Sequence, residues 1–230
     1  MKSALVAGAT FALIGATGCA TGPNKQVTAL QEVDGLVGRV ERVHFEAEIA
    51  QARSREALET LRLIVSDEFR GDPLVAYGHY VESVEASVEQ SDALTESLEP
   101  LHDSAEEVFG QWREDLETFA TERLRQRSAA RLVETKKRYD EVVAAVEHAS
   151  KLYGAFNQGL EDHALFLGHD FNAASVSEIR REVETMGTWA AELDKRLDAI
   201  LLVAEEYVRA AALPGTIDVP EDEVALREET

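Results

Sequence analysis

The apolar residues between positions 132 and 167 decide what this chain can fold into. Leu132, Thr135, Tyr139, Val142, Val146, Ala149, Tyr153, Phe156, Leu160, His163 and Leu167 follow one another in alternating steps of three and four. A repeat of about 3.5 residues held over about five heptads makes a helix with a single seam, built to lie lengthwise against other helices in a left-handed supercoil. Such a seam leaves water only by covering another apolar stripe, so the rest of the chain must supply partners.

It does so three times. Thr28 and Gln31 stand in capping-box spacing before Leu30, Val33, Val37, Val40, His44, Ala47, Leu58, Leu61 and Val65, which predicts a helix over 28–69. Gly71-Asp72-Pro73 then places a turn glycine, an N-cap acid and an N1 proline in succession, and a second helix is expected over 73–119. Its stripe of Tyr77, Val84, Val88, Ser91, Leu98, Ala105, Phe109, Trp112 and Phe119 keeps its phase on both sides of Pro100, which predicts a kink rather than a reversal. Between Phe119 and Leu132 only Leu124 is a large apolar residue, so the chain is expected to turn near 120–122 and run on as a third helix over 122–167. No Gly or Pro marks that turn, and a single continuous rod is the alternative. Ser175-Val176-Ser177-Glu178 reads as a capping box opening a fourth helix over 175–212, stopped by Pro214-Gly215. Matched lengths and short joins imply an all-α fold: an elongated antiparallel bundle of about four long helices with coiled-coil-like packing over 28–212.

The ends read differently. Lys2, the apolar run 4–14 and the small residues 15–18 have the layout of a signal peptide, too short to cross a membrane as a stable helix. Ala16-Thr17-Gly18-Cys19 resembles the bacterial lipobox, with Ala16 where that motif usually has Leu. That resemblance implies removal of 1–18, lipidation of Cys19 (palmitate among the acyl chains) and a short tether over 19–27; cleavage after Ala20 is the alternative. Ala20 in second place resembles lipoproteins of the outer membrane, on its periplasmic face. The segment 213–230 carries six acids against Arg227 and is expected to be a loosely attached acidic tail.

The chain's 44 acidic and 23 basic residues give a net charge of -21, which argues against nucleic-acid binding. No nucleophile elbow, phosphate loop or cysteine pair is present, and no enzyme activity or cofactor is expected. Two Glu-x-x-His steps, Glu41 with His44 and Glu99 with His102, fall near one level of the expected hairpin, and inward carboxylate-histidine pairs are how some bundles hold metal ions. His163 is expected to be satisfied by a nearby Glu or Asp. The basic residues Arg123, Arg125, Arg127, Arg131, Lys136, Lys137 and Arg138 crowd a helix start, where the macrodipole disfavours cations. Either Glu106, Glu107, Glu114, Asp115 and Glu117 return alongside to pair with them, or they contact an anionic partner.

The segments Phe109-Gly110-Gln111-Trp112-Arg113-Glu114-Asp115-Leu116, Glu134-Thr135-Lys136-Lys137-Arg138-Tyr139 and Leu165-Phe166-Leu167-Gly168-His169-Asp170-Phe171-Asn172-Ala173 resemble a family of bacterial envelope lipoproteins, domain of unknown function 2959. The resemblance implies a helical, secreted or lipid-anchored protein and carries over no catalytic residue. Pro100 and the long acidic tail depart from the family pattern. The combined expectation is a non-catalytic, lipid-anchored scaffold or interaction protein of the cell envelope. It would have an envelope protein as partner, with a homo-oligomer compatible. The alternative is a bundle that holds a metal or a small apolar ligand.

Overall fold

A computed structural model of the chain describes residues 23–212. Its elements are α1 (Pro23–Val65), α2 (Pro73–Glu96), α3 (Leu98–Leu116), α4 (Glu122–His169) and α5 (Ala173–Ala211), and no strand occurs among the described residues. α2 and α3 form one rod with a break at Ser97, so four rods make the bundle. Ser97 keeps right-handed helical angles and its amide still reaches the Ala93 carbonyl at 3.1 Å, which is a kink and not a reversal. Pro100 lies three residues on, where its missing N–H and its ring interrupt the helical ladder.

The rods run antiparallel around a ring. Asp67 pairs with Arg180, Arg55 with Asp194, and Gln51 bonds Asp198, so numbering rises along α1 as it falls along α5. Tyr80 with Leu160, Thr95 with Ser150 and Trp112 with Ser128 give the same reading for α2–α3 against α4. α1 and α4 meet across the diagonal, where the Tyr153 hydroxyl reaches the Ala50 carbonyl at 3.4 Å. The turn at 117–121 is real, so the alternative of one rod through residues 120–122 is excluded.

Several boundaries differ from expectation, each for a local reason. α1 begins at Pro23, five residues before the Thr28 capping box, because proline suits a first helical position. Residues 23–27 of the expected tether are therefore helical. α1 ends at Val65, and Asp72 caps α2 by accepting from the amides of Leu74 and Val75. α5 starts at Ala173 because Asn172, not Ser175, is the N-cap, accepting from the amides of Ala174 and Ser175. Ser175 instead turns inward and bonds Asp170.

The seam of α4 is buried from Tyr139 to Leu160 and again at Leu167, while Leu132, Thr135 and His163 are half-buried. His163 is satisfied by the Gly159 carbonyl four residues back, not by a carboxylate. On α2 the inner face holds Ser91 of the expected stripe and also Tyr80, Ser83 and Ser87, which apolar periodicity does not find. The Ser87 hydroxyl donates to Asn157 Oδ1 at 2.7 Å, the Asn157 amide donates to the Ser87 carbonyl at 3.1 Å, and the Tyr153 hydroxyl lies 3.2 Å from Ser87 Oγ. A knot of polar groups thus sits satisfied at mid-bundle, with the full desolvation cost falling on whichever partner is left alone.

Burial sets the ionisation of the tyrosines. Loss of solvent pushes the Tyr80 phenol up, and carries those of Tyr153 and Tyr207 up to about 12, from an ordinary value of 10.0. The folded state holds these protons more tightly than the unfolded chain. The stability this contributes is complete below pH 10 and is lost as pH rises through about 12. In an alkaline titration followed by phenolate absorbance and circular dichroism, most of the absorbance change is expected to coincide with loss of helix. Full phenolate absorbance reached while the helical signal is intact would contradict this packing.

The four rods end unevenly. Asp198 sits level with Gln51, so the rest of α5 brings Ala211 level with about residue 38 of α1, and α1 runs roughly 22 Å further to Pro23. Ala210 lies beside Thr135, and α4 likewise continues about 12 residues beyond that level to Glu122. At this end three rods surround a position that α5 does not reach. Leu30 and Leu124 stand 53% and 49% exposed there, beyond the last residue of α5.

Candidate functional site

The basic residues of α4 gather at that uneven end. α4 opens at Thr121 with no side-chain cap, and its single first-turn acid, Glu122, pairs with Arg125 and bonds Gln126. These contacts hold the Glu122 carboxyl below its ordinary range, with the Arg125 hydrogen bond the larger cause. Lys136 pairs with Asp140 and Lys137 with Glu141, both along the same exposed helix face. Pairs of this kind stabilise by about 0.2–1 kcal/mol each.

Arg123, Arg127, Arg131 and Arg138 have no ion-pair partner among the described residues. Of the acids expected to return alongside them, Glu106, Glu107, Glu114 and Glu117 form no ion pair with these arginines among the described residues and Asp115 accepts from Gln111 on its own helix, because α3 meets α4 through Trp112, whose indole N–H donates to Ser128 at 2.8 Å. Arg127, Arg131 and Arg138, with Glu134 and Thr135, line an open groove of about 510 Å³ whose upper wall is Ala210 of α5. Arg138 faces α5, since its charge bears on the buried Tyr207 phenol. The arrangement can hold carboxylate or phosphate oxygens by bidentate hydrogen bonds from guanidinium groups.

The four residues considered for metal binding are not brought together. Glu41 and Glu99 are solvent-exposed on the outer faces. His44 turns to Glu48 on its own helix at 3.9 Å, whereas His102 Nδ1 meets the Tyr139 hydroxyl of α4, with Phe109 edge-on to the same ring. Rotation about each helix turns the two pairs apart, and no cluster of three or more His, Cys, Asp or Glu able to hold a metal occurs among the described residues. A second groove, of about 510 Å³ between α1 and α3 at Gly35, Gly38 and Pro100, is open and edged by Glu32, Asp103 and Glu107.

No described helix is long and apolar enough to cross a membrane. Cys19, the signal-peptide reading of 1–18 and the acidic tail 213–230 lie outside the described residues. The polar interior of α2, with Tyr80, Ser83 and Ser87, is what sequence reasoning missed. The signal available was the four-residue spacing of Ser83, Ser87 and Ser91 on one helix face.

No curated protein and no solved structure matches the chain. A family model described as a protein of unknown function (DUF2959) matches residues 26–211, from the first turns of α1 to the end of α5, and the chain therefore belongs to that family.

Proposed function

We propose that this protein is a lipid-anchored helical scaffold or interaction protein of the bacterial cell envelope, without catalytic activity. The observation that carries this reading is that, among the described residues, the bundle's interior is filled by its own side chains. Tyr80, Tyr153, Phe156, Leu160, Leu193 and Leu197 fill it, and Ser87, Asn157 and Tyr153 satisfy one another. A carrier needs an enclosed cavity with convergent polar groups. The grooves around the basic and the Gly35–Pro100 regions are open instead, and suit contact with another macromolecule.

The anchor and the basic region share one end. α1 starts at Pro23, four residues after Cys19, so an acylated Cys19 sets the membrane beside the start of α4. Several acyl chains on one cysteine would hold the domain there firmly, whereas one chain gives marginal binding. Partners would then meet α4 and the exposed rod faces on the periplasmic side of the outer membrane.

Fractionation of cells expressing the full chain tests the anchor: the protein is expected in the outer-membrane fraction, and Cys19→Ser is expected to move it to the soluble periplasmic fraction. Soluble wild-type protein, or no change on substitution, would sink the lipoprotein reading. Crosslinking in intact cells followed by mass spectrometry tests the scaffold role. A recurring envelope protein joined to α4 is the expected result, and recovery of uncrosslinked chain alone contradicts it.

A further inference from the structure

Two open grooves lie on opposite sides of the bundle and carry opposite charge. The groove between α4 and α5 is lined by Arg127, Arg131 and Arg138, with the acid Glu134 beside them. The groove between α1 and α3 is lined by Glu32, Asp103 and Glu107, with the cation Arg39 beside them. Neither the three arginines nor the three acids have an ion-pair partner among the described residues. Around the ring of rods the two seams are opposed, because α1 meets α4 across the diagonal.

The grooves also stand at one height. Trp112 meets Ser128 and His102 meets Tyr139, so residues 103–107 of α3 lie level with about 133–138 of α4. Arg131 and Arg138 bracket that height. It is about 20 Å from the start of α4, a helix of 48 residues and so about 72 Å long. Parallel copies side by side therefore bring the basic groove of one to the acidic groove of the next by translation alone. Antiparallel copies packed along their full length would hold the two about 30 Å apart.

The acidic groove is also shaped for a close neighbour. Gly35 and Gly38 line it one turn apart and exposed, and a Cβ at either would meet nothing within 4 Å. Glycine inside a helix weakens it relative to alanine, and nothing in the molecule's own packing requires it here. Bare backbone at these positions lets long side chains of a second molecule lie against α1. The net charge of -21 opposes such an approach. At physiological ionic strength the screening length is about 8 Å, so acids further along the rods are muted while charges in contact are not.

We propose that copies of this chain associate side by side and parallel, Arg127, Arg131 and Arg138 of one copy entering the Gly35–Gly38 groove of the next among Glu32, Asp103 and Glu107. Because the two surfaces differ and are opposed, each contact leaves one groove of each kind free, and an open row grows rather than a closed pair. The proposal rests on the reading of the grooves as contact surfaces but not on modification of Cys19. Its failure would leave the envelope anchor, tested by fractionation, untouched.

The test measures weight-average mass by sedimentation equilibrium, on the full chain with Cys19→Ser, at concentrations up to about 1 mM. The mass is expected to rise with concentration without levelling at two copies. Arg127→Glu/Arg131→Glu and Asp103→Lys/Glu107→Lys are each expected to weaken association about tenfold or more, since like charges then face one another. An equimolar mixture of these two variants is expected to restore it. Gly35→Gln/Gly38→Gln, which fills the groove without a clash in its own chain, is expected to raise Tm while weakening association, and it decides the matter if a charge variant does not fold. The mass of one copy at every concentration, a plateau at two, association kept by each charge variant, or a mixture no better than its components would overturn the proposal. So would association that strengthens steadily up to about 1 M salt, where charge contacts are screened.

Discussion

Phe156→Ala is expected to destabilise the protein by about 3–5 kcal/mol, the range for emptying an aromatic position in a closed core. Phe156 is fully buried on the α4 seam, midway between Tyr153 and Leu160, which are also fully buried. Neighbouring rods are long and packed along their whole faces, so the wall on each side cannot collapse into the gap without shifting side chains in adjacent layers. For a helical domain of this size the change corresponds to a fall in Tm of roughly 6–20 °C. Thermal unfolding followed by circular dichroism checks it. A fall of only one or two degrees would mean that the α4 seam is not the centre of the core.

Asn157→Leu is expected to cost about 2–3 kcal/mol, although it replaces a polar residue with an apolar one at a position only 3% exposed. Apolar replacement inside a bundle helps when both partners of a polar pair go together. Here the Ser87 carbonyl and hydroxyl would lose the Asn157 amide and Oδ1 and remain buried. The added volume meets Ser87 at zero exposure, which adds to the cost. The double variant Ser87→Ala/Asn157→Leu is expected to recover part of the loss, with a coupling energy of roughly 0.5–3 kcal/mol in a denaturant cycle. Strict additivity of the two substitutions would show that the polar knot is not a unit.

The same pair explains what the sequence could and could not disclose. The repeat from Leu132 to Leu167 and the stripe from Ile179 to Tyr207 name their inward faces directly, because apolar residues recurring at helical spacing form one stripe that leaves water as a unit. The Gly71-Asp72-Pro73 turn was legible for a local reason, since each residue type suits one backbone position. Serines carry no such signature. Ser83 and Ser87 are buried because of what faces them, Thr60 for the first and Asn157 for the second, and those neighbours are 23 and 70 residues away in sequence.

The candidate site divides along the same line. The crowding of cations at the start of α4 is a property of sequence alone. That Arg123, Arg127, Arg131 and Arg138 meet no acid among the described residues, while Arg125, Lys136 and Lys137 do, depends on rotation about α3 and on where α5 stops. Neither quantity is written in the spacing of Glu106, Glu107, Glu114 and Glu117. For the Glu41, His44, Glu99 and His102 set, chain separation speaks only to the level in the hairpin. It has no control over which way each side chain turns, and His102 found Tyr139 on α4.

The central claim is that seams of apolar residues fold this chain back on itself three times into antiparallel rods. Pulsed electron-paramagnetic distances in a Cys19→Ser background test it most directly, with one pair of labels at Arg70 and Asp170 and another at Arg70 and Glu117. The first pair belongs to one end of the bundle and is expected within about 25 Å; the second spans the α2–α3 rod and is expected near 65 Å. A first pair too far apart to detect, as in a rod continuous from α2 through α4 at roughly 145 Å, would contradict the fold.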